Sequence, residues 1–178
     1  METFTPAREF VANSGYADAR QRALAAMDLA AIDAPIKDIV EEFAAIPCCF
    51  TLQCCYGHFV SEAGQDPHNI ERVPSDFEGT VTYRIAYMAF CLQNSSRGRA
   101  LWQSLARLSA VDPDYIQFGS ADWFWERWAN SYALQVGPAD YMLQDKAMLS
   151  PPEAQRTQSA RDLLFAELRA LLASTSCE

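Results

Sequence analysis

The chain has 178 residues, half of them hydrophobic, 12% aromatic and 21% charged, with a formal net charge of −9. That balance describes one globular domain, residues 1–178, with a core of its own, and excludes a disordered chain. The acidic excess disfavours nucleic acid as a partner, and the lack of a long apolar run excludes a spanning helix.

The first residues lack a basic stretch followed by an apolar core, so a cytoplasmic setting is expected, with the six cysteines mostly free. Thr5-Pro6 reads as a helix opening, with helical composition continuing to about Ala31 and a break at Asn13-Ser14-Gly15. A second helix starts near Pro35, where Ile36, Ile39, Val40, Phe43 and Ile46 form an apolar stripe, and Pro47 stops it. Residues 47–60 then read as one strand. Cys48, Phe50, Leu52, Cys54, Tyr56, His58 and Val60 share one face, and Cys49, Thr51, Gln53, Cys55, Gly57 and Phe59 share the other.

Residues 61–79 are a polar, turn-rich loop carrying His68. A second strand runs from Thr80 to Leu92, with Val81, Tyr83, Ile85, Tyr87, Ala89 and Cys91 on its apolar face. Asn94 caps a helix over 95–109, whose Leu101, Trp102, Leu105 and Leu108 form a core stripe. A third strand spans Tyr115 to Trp125, Glu126-Arg127 tips a hairpin, and a fourth strand spans Trp128 to Val136. Ser150 and Glu153 form a capping box that opens the last helix, 151–173, with Leu164, Leu168 and Leu171 inward. The order α-α-β-β-α-β-β-α predicts an α+β fold, a mainly antiparallel four-stranded sheet with helices packed on it.

Four of the six cysteines lie within residues 48–55. Neighbouring cysteines on a strand point to opposite faces, and Cys54 and His58, on one face, stand roughly 13 Å apart by the standard rise. While the strand stays extended no metal site is expected, and the thiols read as small buried hydrophobes. Cys55, beside Gly57 and His58, is the candidate thiolate nucleophile, which makes Cys55 and His58 the catalytic candidates. Thr51 and Gln53 on the same small, polar face are candidate ligand contacts. A second candidate is the strand-to-helix junction, where Asn94, Ser95, Ser96, Arg97 and Arg99 surround a helix N-terminus able to receive an anion. Trp123, Trp125 and Trp128 suggest a core contact, or an aromatic patch for a protein partner or a homodimer.

Over residues 36–120, the helix that runs into Phe50-Thr51-Leu52-Gln53-Cys54-Cys55-Tyr56-Gly57-His58 resembles the tRNA methyltransferases of wybutosine synthesis. Their signature is Thr-Thr-Ser-Ser-Cys-Ser-Gly-Arg. Thr51, Cys55 and Gly57 match it, while Leu52, Gln53, Cys54, Tyr56 and His58 occupy the other positions. The resemblance implies S-adenosylmethionine as cofactor and a site around Thr51, Cys55, His58 and Arg84. Without a complete catalytic set, a binding or accessory module is the leading expectation, and a methyltransferase-like enzyme for a small ligand is the alternative.

Overall fold

The structure is a computed structural model and describes residues 4–62, 64–138 and 146–175. In chain order its elements are β1 (Phe4–Pro6), α1 (Tyr16–Ala25), α2 (Lys37–Ala45), β2 (Cys49–Cys55), β3 (His58–Val60), β4 (Val81–Arg84), β5 (Ala86–Leu92), α3 (Ser96–Arg107), β6 (Ile116–Ala121), α4 (Asp122–Arg127), β7 (Ser131–Val136), β8 (Lys146–Leu149) and α5 (Pro151–Thr175). The fold is α+β, as the pattern predicts, but with two antiparallel sheets in place of one with four strands. Five strands pair in the order β1-β6-β7-β5-β2 and three in the order β3-β4-β8.

One bent ribbon belongs to both sheets. β2 and β5 pair from Cys49 opposite Leu92 to Cys55 opposite Tyr87. Beyond a corner at Tyr56-Gly57 and Ile85, the same two segments pair again as β3 and β4, from His58 opposite Arg84 to Val60 opposite Thr82. The corner requires glycine: Gly57 has φ of 89°, and a Cβ there would lie 2.6 Å from the Cβ of Ala86.

Both faces of the large sheet are covered. Ile36, Ile39, Val40 and Phe43 of the α2 region join Leu101 and Leu105 of α3 and Leu164, Leu168 and Leu172 of α5 in the main core, against Met88, Phe90 and Leu134. On the opposite face α1 sets Tyr16 on Phe50 and Cys91, and α4 sets Phe124 on Ala89 and Ala133. The capping box forms as read, Glu153 Oε2 accepting from the Ser150 amide and hydroxyl at 3.0 and 2.7 Å.

Several expectations are corrected. Thr5-Pro6 opens no helix; it belongs to an edge strand, where proline is tolerated because one side of the ladder needs no donor. An extended arm follows, and α1 begins only at Tyr16. The expected strand 47–60 is broken twice, by a register shift between Thr51 and Gln53 and by the Gly57 corner. After that bulge the facing pattern changes, so that Phe50 packs under α1 while Cys54 packs on the main core. The strand 80–92 breaks at Ile85, which turns Ala86, Met88, Phe90 and Leu92 inward and Ala89 and Cys91 to the α1–α4 side. Ser95, not Asn94, caps α3. The third strand ends at Ala121, and residues 122–127 are helical, with Asp122 in the first turn and Arg127 in the last. β1 and β8 add two strands that the sequence pattern does not announce.

Phe43 is fully buried, with its ring 4.7 Å from that of Phe90. Phe43→Ala should therefore lower unfolding free energy by roughly 3–5 kcal/mol in urea melts, whereas a loss below about 1 kcal/mol would place α2 outside the core.

Candidate metal centre

The corner gathers three chemically capable side chains that sequence spacing holds apart. Cys55 ends β2 and His58 begins β3, so the turn between them folds the two back toward each other. The third is Asp33, ahead of the turn that leads into α2. It makes no side-chain capping bond there. Its Oδ2 instead accepts the Tyr56 amide at 2.8 Å and faces His58 Nε2 at 3.4 Å. One donor atom from each of Asp33, Cys55 and His58 lies within 4.8 Å of the other two.

The tautomer of His58 follows from its other nitrogen. Nδ1 lies 3.2 Å from the main-chain oxygen of Asn69. A carbonyl only accepts, so Nδ1 carries hydrogen and Nε2 is the atom presented to Asp33. The His58 ring is 1% exposed, Cys55 is buried, and the Asp33 carboxylate retains some solvent contact. The His68 ring stands edge-on to His58, with centroids 5.3 Å apart.

Charge is concentrated here. The Asp33 carboxylate, then Cys55, push the His58 pKa up to about 10 against the opposing effect of burial. Burial raises Asp33, but the interaction with His58 and the Tyr56 amide outweigh it and hold the carboxyl below its ordinary value. In the metal-free protein, then, the carboxylate favours the charged form of the imidazole that faces it. Burial pushes Cys54 and Cys91 up to about 12 and Cys49 well above its ordinary value, which suits inert packing. Cys48, Cys49, Cys54, Cys55 and Cys91 are free thiols, and Cys177 lies outside the described residues.

Arg161 of α5 fixes the corner from below. It is 1% exposed. Its Nη1 donates to the Gly57 carbonyl at 3.0 Å, and its Nε and Nη2 donate to Asp162 Oδ1 at 3.0 and 2.8 Å. The guanidinium lies 4.0 Å from the Tyr56 ring centroid and 5.2 Å from that of Phe59.

Of the residues singled out from sequence, the structure brings Cys55 and His58 together. Thr51 is buried opposite Phe90, Gln53 is exposed beyond the bulge, and Arg84 is exposed across the ladder from His58. The strand-to-helix junction is engaged internally. Ser95 Oγ accepts the Gly98 amide at 3.1 Å, Asn94 Oδ1 accepts from Arg99 at 2.8 Å, and Arg99 lies 4.8 Å from the Phe10 ring centroid. Ser96 and Arg97 are exposed in the first turn of α3. Trp123 is 41% exposed under the Arg127 guanidinium, while Trp125 lies against Tyr132 and Trp128 packs toward the sheet. A cavity of about 340 Å³ opens elsewhere, at the start of α1 between Arg22, Arg127 and Trp128.

Sequence reasoning missed Asp33, Asn69 and Arg161. Asp33 resembles an ordinary helix cap, and Asn69 acts through its main chain, which no side-chain pattern reveals. Arg161 did carry a signal: it lies three and four residues before Leu164 and Phe165, on the buried stripe of α5.

Two outcomes follow. The folded-state pKa of His58 lies above its ordinary 6.5, so its pairing with Asp33 contributes stability fully present below about pH 6.5 and lost as pH rises through about 10. Urea melts of metal-free protein should show that decline between pH 7 and 10, and Asp33→Asn should flatten it; equal slopes would dissolve the pairing. Arg161→Met leaves the Gly57 carbonyl without its partner, while Asp162 keeps Arg72 at 3.2 Å. The change should cost on the order of 2–3 kcal/mol by the same measurement.

No protein-family model and no curated protein matches the chain. Among solved structures, that of the PH1069 protein from Pyrococcus horikoshii is similar with a TM-score of 0.57 and 10% sequence identity, covering 92% of this chain and 95% of that one. At that identity the likeness shows a shared fold.

Proposed function

We propose that this protein is a metal-binding module in which Asp33, Cys55 and His58 together hold one thiophilic divalent ion, zinc fitting the donor set best. The observation that carries this is the spacing of the donors. A tetrahedral zinc at ordinary bond lengths sets a nitrogen and an oxygen ligand about 3.4 Å apart and a sulfur within about 3.6 Å of either. His58 Nε2 and Asp33 Oδ2 are 3.4 Å apart, longer than a good hydrogen bond, with the thiol inside the same 4.8 Å cluster.

The Asn69 carbonyl on Nδ1 is the kind of outer partner that orients a ligating imidazole. A thiol–imidazole–carboxylate relay needs thiol and carboxylate on opposite ring nitrogens, with the ring's width between them. Here the carboxylate and thiol cluster together, and Nδ1 is committed to a main-chain oxygen. Thiolate with imidazole and a single carboxylate favours zinc or a related transition ion over calcium or magnesium, which prefer all-oxygen sites.

The methyltransferase-like enzyme is the second reading. It is favoured by the position of Cys55 and Gly57, two of the three residues matching that signature, at the corner itself. Equilibrium dialysis against S-adenosylmethionine tests it, and an absence of binding at millimolar cofactor removes it.

Cobalt(II) reports on the leading reading. Titrating metal-free protein should give one equivalent of binding with a near-ultraviolet thiolate-to-cobalt band, absent in Cys55→Ser. His58→Ala and Asp33→Ala should each weaken binding by at least about tenfold. A wild-type protein without that band, or a Cys55→Ser protein that keeps it, would overturn the assignment.

A further inference from the structure

We infer that His68 is the fourth ligand of this centre, so that a bound ion closes a tetrahedron of one sulfur, two nitrogens and one oxygen and fastens segment 64–79 over the sheet corner. The inference rests on the metal-binding reading and adds a ligand and a conformational consequence to it.

The first argument is geometric. With zinc–nitrogen bonds of about 2.0–2.1 Å and a tetrahedral angle, the centroids of two imidazoles on one ion lie about 5.2 Å apart. His58 and His68 stand at 5.3 Å, with an interplanar angle of 76°. An edge-on ring contact also adopts this spacing, but His68 is exposed, so burial does not hold it there, and its ring already stands at the distance from which a rotation can aim a nitrogen at the ion.

The second argument is how the segment is tied. Asn69, the next residue, is fastened twice to β3: its main-chain oxygen meets His58 Nδ1, and its Nδ2 donates to the Phe59 carbonyl at 3.2 Å. The His68 amide is held by Asp66 Oδ1 at 2.9 Å. Further along, the Val73 amide donates to Gln158 of α5 at 3.0 Å. The backbone beside His68 is thus placed before any ion arrives, and only the side chain has to turn inward. The residue that orients His58 and the residue that would complete the shell are adjacent in sequence, so one short turn supplies both.

A site with four protein ligands leaves no position for substrate or water, which fits a closed, non-catalytic centre. It also tightens a segment 64–79 that is already tied by hydrogen bonds, because metal-binding energy becomes local folding energy. The segment contains Arg72, exposed and available to trypsin.

The experiment uses the full chain as wild type, His68→Ala and Cys55→Ser, each with cobalt(II) for spectra and zinc(II) for proteolysis. In the wild type, strong visible d–d bands should mark four-coordination, and zinc should slow tryptic cleavage after Arg72 by at least about tenfold. His68→Ala should keep the thiolate band, lose d–d intensity as water enters, bind at least about tenfold more weakly and lose zinc protection at Arg72. If His68→Ala shows wild-type spectra, affinity and protection, His68 is no ligand, while three-residue binding stands. If the wild type shows no thiolate band, the metal-binding reading itself fails and takes this inference with it.

Discussion

The carbonyl of Gly57 sits where the ladder between β2 and β5 stops, and its partner is the guanidinium of Arg161, 3.0 Å away, in place of another strand. A buried carbonyl at a break in a ladder needs a donor, and a buried guanidinium needs acceptors; each answers the other's requirement. The desolvation of Arg161 is offset by Asp162 and by the rings of Tyr56 and Phe59, whose centroids lie 4.0 and 5.2 Å from the guanidinium. Remove that contact and the corner loses its internal brace. Without a corner the ribbon would run straight, with Cys55 and His58 separated along it.

The candidate centre is therefore a by-product of how the two sheets join. β2 contributes the thiol, β3 the imidazole, and the turn before α2 the carboxylate, so the donors ride on elements whose positions are set by the core. The Tyr56 amide, released from the ladder by the same break, holds Asp33 in place. A donor set arranged by packed strands needs little rearrangement on binding, which is the condition for tight and selective coordination.

Where the sequence was legible, a local period and the tertiary environment agreed. The Ile36–Phe43 stripe and the Ser150–Glu153 capping box state their structures directly, and both form as read. Thr5-Pro6 shows the limit: the same dipeptide suits a helix start or an edge strand, and the choice is made by β6, more than a hundred residues away. Residues 123–125, Trp-Phe-Trp, carry strand propensity, yet the helix they form places Phe124 in the core and leaves Trp123 outside. The long strands were recognisable as ribbon but not as broken ribbon. Gly57 marked one break, and nothing at Ile85 marked the other. The site inherited that error, because spacing along an unbroken strand keeps apart the groups that the corner unites.

The arm that carries β1 has a consequence for how the molecule meets its neighbours. Thr5 Oγ1 donates to the Ser120 carbonyl at 3.0 Å, and further along the Asn130 side chain exchanges hydrogen bonds with the Val11 backbone at 2.8 and 2.9 Å. Together they lay a three-residue strand along β6, whose edge would otherwise offer an open row of donors and acceptors to another chain. β1 is a poor template in its turn, being short and having in Pro6 a residue with no amide hydrogen to give. The sheet on that side thus ends in a strand built to stop growth, and residues 4–11 act as a guard against edge-to-edge association.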